Sequence, residues 1–130
     1  MKKIFIMLAL VSSLFASSID WPNNYEAALK QAKAENKKVY LFITSDYCKW
    51  CREFEDITLK DEKILGLLKK DYVLLHLSKE RHTIDKRFNE VSFLPKHFFL
   101  KANGEKIYED YGYRTQDYFE NILNEIKEEN

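Results

Sequence analysis

The sequence holds 130 residues, 45% of them hydrophobic and 15% aromatic, and its 21 basic side chains balance its 21 acidic ones. One domain of ordinary size fits that length, and the apolar share is enough to build its core. Zero net charge without a basic stripe argues against a nucleic-acid partner.

The chain opens with MKKIFIMLALVSSLFASS: Lys2 and Lys3, an apolar run from Ile4 to Phe15, then small residues. A basic start, a short apolar run and a small-residue exit describe a secretory signal peptide over residues 1–18, with cleavage expected after Ala16 or Ser18. The run falls short of the about 20 residues a bilayer-spanning helix needs. An uncleaved N-terminal anchor is the alternative, and no cysteine follows the run to carry a lipid. In either case the domain, residues 19–130, is expected outside the cytoplasm, in the periplasm.

NNYEAALKQAKAENK reads as a helix with Tyr25, Ala28, Leu29 and Ala32 on one face and Asn23 or Asn24 as its cap. KVYLFIT, residues 38–44, is a compact apolar and β-branched run, the mark of a buried strand. KWCREFEDITLK then reads as a helix, with Trp50, Phe54 and Ile57 at helical spacing. DEKILGLLKKD is a further helix that Asp61 can cap, YVLLHLS a second strand, and TIDKRFNEV a short helix. PKHFFLK and KIYEDYGY are two strand-like runs joined at Asn103-Gly104, a strong hairpin signal. TQDYFENILNEIKEEN closes the chain as an amphipathic helix, capped by Thr115, with Tyr118, Phe119, Ile122, Leu123 and Ile126 expected inward. This order predicts an α/β sandwich with parallel strands first and an antiparallel hairpin last.

Cys48 and Cys51 are the chain's two cysteines. A disulfide between them closes so short a loop that it constrains the unfolded chain weakly, which makes a purely structural staple a poor explanation. Haem attachment needs a histidine directly after the second cysteine, where Arg52 stands. Zinc needs four ligands, and His76, His82 and His97 form no paired motif. Each of those histidines reads as a structural or surface residue, and none is assigned a catalytic role. Copper carriage by the thiol pair remains an alternative, without a methionine-rich segment behind it. Redox exchange fits the placement best. Cys48 falls just past a buried strand at the start of a helix, where unpaired N–H groups favour the reactive thiolate. Cys51 lies one turn further on, within reach of it.

The stretch DYCKWCREFE, followed by FLPKHFFLKANGEKIYEDYGY, resembles the thioredoxin superfamily, more particularly secreted thioredoxin-like proteins and the C-terminal domain of DsbD-type thiol–disulfide interchange proteins. The resemblance spans roughly Trp21 to Ile126. It implies a thioredoxin fold, a three-layer sandwich with a central mixed sheet flanked by helices. It also implies Cys48 as the attacking thiol, Cys51 as the buried resolving thiol and Pro95 as a cis-proline beside them. Leu94 would present backbone groups to a partner strand, with Tyr47 and Trp50 as apolar rim. The implied partners are protein thiols and disulfides and a membrane or periplasmic electron donor; no cofactor or metal is implied. One departure stands out: many members carry a buried acid six residues before the first cysteine, and here that residue is Phe42. Asp46 or Glu55 would have to handle the proton of Cys51 instead, or water would.

Overall fold

Strand β1 (Lys38–Thr44) lies inside the sheet and sends alternate side chains to two separate cores. Val39, Leu41 and Ile43 meet Ala28 and Ala32 of helix α1 (Tyr25–Glu35), while Tyr40 and Phe42 meet the helices of the opposite face. The period-two alternation of a strand makes this division automatic once both faces are covered. The computed structural model describes residues 23–129. The signal-peptide reading of residues 1–18 lies outside the described residues.

After β1 come helix α2 (Lys49–Glu53), which runs on as a π-helical segment (Phe54–Thr58), and helix α3 (Glu62–Asp71). Strand β2 (Tyr72–Ser78), a 3₁₀ turn (Lys86–Phe88), strands β3 (Lys96–Leu100) and β4 (Lys106–Tyr111), and helix α4 (Gln116–Glu128) complete the chain. The sheet order is β2-β1-β3-β4. β1 pairs in parallel with β2 and antiparallel with β3, and β3 pairs antiparallel with β4. The expected three-layer architecture is therefore present, with α1 on one face and α3, α4 and the π-helical segment on the other. Asn24, Asp61 and Thr115 cap α1, α3 and α4, each accepting a backbone N–H three residues on.

Three local expectations need correction. The segment from Lys49 does not stay α-helical: the Leu59 N–H reaches the Phe54 carbonyl at 3.0 Å, an i→i+5 bond that adds a residue to the turn. The register slips by one, so Thr58 and Leu59 are buried and Ile57 is exposed. Tyr118 also faces outward, because the stripe Phe119, Ile122, Leu123 and Ile126 already fills the core face of α4. Arg114 covers its ring instead, with Cζ 4.5 Å from the ring centre. TIDKRFNEV contracts to the single 3₁₀ turn, started by the Asp85 carboxylate accepting the Arg87 N–H, since Phe88 alone in that turn is fully buried. The expected hairpin forms, β3 pairing antiparallel with β4; Gly104 has positive φ and Asn103 does not, so its turn is not of the two-residue type I′, which needs positive φ at both central residues. A wider loop joins Leu100 to Lys106, with an irregularity in the ladder at Phe99/Leu100.

Candidate active site

The loop from Ser45 to Cys48 leaves the carboxyl end of β1 and is held by side chains at and just past the end of β2. The Asp46 N–H donates to Glu80 Oε2 at 3.0 Å, and the Ser45 hydroxyl donates to the same carboxylate. Arg81 grips Asp46 through Nε and Nη2 at 2.7–3.1 Å, and the Ser78 hydroxyl bridges Asp46 and Glu80 at 3.1 Å. These hydrogen bonds, Arg81's foremost for Asp46 and Ser45's for Glu80, hold both carboxyls below the usual carboxylate range. The motif thus starts from an anchored base.

Cys48 and Cys51 form a disulfide with their Cα atoms 5.3 Å apart, within the ordinary range for such a bridge. Cys48 occupies the N-cap position of α2, and its Sγ accepts the Cys51 N–H at 3.1 Å. Cys48 is half-buried and Cys51 buried, so Cys48 is the more accessible of the two. Tyr47 is 87% exposed and Trp50 56% exposed, on either side of it. Trp50 leans on Tyr113, with ring centres 5.9 Å apart, and takes Lys49 Nζ at 5.6 Å.

The Leu94–Pro95 bond is cis. Because Ile43 pairs with Lys96, the cysteine loop and Pro95 leave the same end of the sheet from adjacent strands. Pro95 is buried, its carbonyl accepting the Gly112 N–H at 2.8 Å; Leu94 is half-buried against the α1-side core. Gly112 has a φ of 96°, a conformation that favours glycine. Its carbonyl accepts from His97 Nε2 at 2.8 Å, while His97 Nδ1 accepts from the Tyr40 hydroxyl at 2.6 Å. Burial pushes His97 down to about 4, so this corner is held by a neutral imidazole. Lys96 is also buried, its amine donating to the Phe88 carbonyl at 2.9 Å and to Asn89 Oδ1 at 3.3 Å, which ties the loop before Pro95 to its strand.

Phe93 is a residue the sequence reading passed over. It is 72% exposed and directly precedes Leu94–Pro95. Its signal was a large apolar side chain in a loop with little else to bury it. His76 and Glu55 also gather near the motif and are taken up below. Among the described residues no group of three or more His, Cys, Asp or Glu side chains is placed to hold a metal ion.

A mixed sheet covered on both faces, with a Cys-X-X-Cys pair where a helix follows the inner parallel strand, defines a thioredoxin-type α/β domain. The chain belongs to the Thioredoxin-like domain family, whose profile matches residues 25–127. Human spermatogenesis-associated protein 20 is 32% identical over 69 residues, covering 52% of this chain. This chain spans only 9% of that relative's length. Among solved structures, a thioredoxin from Thermus thermophilus superposes with a TM-score of 0.68 at 24% identity, over 81% of this chain and 85% of its own. The oxidised C-terminal domain of DsbD from Neisseria meningitidis does so with a TM-score of 0.61 at 17% identity, over 81% and 92%.

Proposed function

We propose that this chain is a thiol–disulfide oxidoreductase that exchanges electrons with protein thiols in the periplasm, working as a reductant. The observation that carries the reading is the Cys48–Cys51 disulfide, with its half-buried first sulfur set among the exposed rings of Tyr47 and Trp50. Starting from the dithiol, the Cys48 thiolate attacks a partner disulfide and forms a mixed disulfide, releasing one partner thiolate. Cys51 then attacks Cys48 Sγ, the second partner thiolate leaves, and the pair is oxidised as seen here. Leu94 offers backbone groups to the partner strand, and Pro95 shapes the wall beside the sulfurs. The periplasmic part of the reading rests on the signal-peptide pattern of residues 1–18 and the reductant part on the DsbD-like motif order. An electron-donor protein must then re-reduce the pair. No helix of the described residues is long and apolar enough to cross a membrane.

The test is the reduction potential of the pair in glutathione or dithiothreitol buffers. A value near about −270 mV, that of thioredoxin, is expected of a reductant; one near about −120 mV marks a disulfide-introducing oxidant. In parallel, Cys48→Ser abolishes turnover and Cys51→Ser accumulates mixed disulfides with partner proteins. Full turnover in Cys48→Ser sinks the mechanism.

A further inference from the structure

Resolution needs the Cys51 thiolate, yet Cys51 is 2% exposed, so its proton needs a route out. Cys51 opens onto a cleft of about 370 Å³ whose wall also includes Glu55 and His76. Glu55 lies four residues beyond Cys51 along the same helical segment. His76 is the β2 residue paired in register with Phe42, their ring centres 5.1 Å apart. His76 Nε2 lies 2.8 Å from Thr44 Oγ1 and 3.7 Å from Glu55 Oε1.

Resting on the redox reading above, we propose that Glu55 and His76 act as a coupled pair that takes the Cys51 proton through this cleft when the mixed disulfide is resolved. The Cys51 S–H proton passes, over a water in the cleft, to the pair. The thiolate's electron pair forms the Cys51–Cys48 bond, the bond from Cys48 to the partner breaks, and the partner sulfur leaves as thiolate. The proton is later lost to solvent through the mouth of the cleft.

The surroundings suit the role. Burial raises Glu55 and lowers His76 to about 4, which shifts the proton affinities of a carboxylate and an imidazole in opposite directions. Around His76, Asp46 favours its charged form whereas Arg81 and His82 oppose it. Around Glu55, Asp56 raises and Lys60 lowers its proton affinity, and Arg52 lines the same cleft. Asp46 cannot substitute, because Arg81 and Ser78 occupy its oxygens.

A chromogenic aryl disulfide separates the two steps. Reduced protein releases one coloured thiolate as Cys48 attacks and a second as Cys51 resolves. Glu55→Gln and His76→Gln are expected to slow the second phase roughly a hundredfold and to alter its pH profile, with the first phase kept. The double variant is expected to be no slower than the slower single one, as coupled groups require. Glu55 is only partly buried, so Glu55→Gln remains a fair test if His76→Gln fails to fold. An unchanged second phase and pH profile in a folded Glu55→Gln protein overturns the proton pair and leaves the redox reading standing. Absence of both phases in the unaltered protein overturns both.

Discussion

Burial of His97 makes the fold sensitive to acid. His97 is fully buried and neutral, bonded to the Tyr40 hydroxyl and the Gly112 carbonyl. Its affinity for a proton drops from 6.5 to about 4 on folding. Between those values the unfolded chain binds the proton and the folded one does not, so stability rises with pH across the window. Its contribution is whole above about pH 6.5 and is lost as pH falls toward 4, on the order of 3 kcal/mol in all. His76 acts in the same direction, and Glu55, raised by burial, acts against it. Asp110, held below the usual range by Arg114, gives way only in stronger acid, below its ordinary value of 3.8. Urea unfolding at pH 7, 5.5 and about 4 is therefore expected to show a steady loss that flattens in His97→Gln. An equal slope in that variant removes His97 from the account.

At the level of elements, the π-helical segment separates two patterns that the same letters allow. An unbroken α-helix from Lys49 would bury Ile57, and truncating it to alanine would cost about 2–5 kcal/mol. With the i→i+5 turn Ile57 is exposed, so Ile57→Ala is expected to shift stability by about 0.5 kcal/mol or less. Thr58→Val is expected to cost about 1–2 kcal/mol, because the buried Thr58 hydroxyl donates to the Arg114 carbonyl at 2.6 Å. Chemical denaturation of the two variants decides between the registers. The sequence was legible where local chemistry acts alone: the caps Asn24, Asp61 and Thr115, the apolar runs of β1 and β2, and the Cys48–Cys51 pair at a strand-to-helix junction. It was silent where tertiary contacts choose. Thr58 is drawn inward by a carbonyl 56 residues away, and Tyr118 turns outward because Arg114 can cover it. Neither partner leaves a trace in the local spacing. Asp46 is another such case, its oxygens taken up by Ser78 at the end of β2 and by Arg81 beyond it.

Taken whole, the molecule places three of its exposed aromatic side chains along the Cys48 and Leu94–Pro95 segments. Tyr47, Trp50 and Phe93 are 87%, 56% and 72% exposed, and they flank Cys48 on one side and Leu94–Pro95 on the other. Exposed aromatic side chains near a reactive group give contact area at little entropic cost and are common anchors for protein partners. Under the proposed mechanism a small disulfide needs only Cys48, whereas a folded or extended protein would also rest on the surrounding rim. Trp50→Ala and Phe93→Ala are therefore expected to raise KM for a protein disulfide such as insulin by about tenfold each, some 1.4 kcal/mol of binding, with kcat nearly kept. The first-phase rate with a small aryl disulfide should stay within about twofold, since that reaction engages none of the rim beyond the motif. Equal losses on both substrates would mean that the rings support the site's structure instead of the partner, and the rim would lose its assignment.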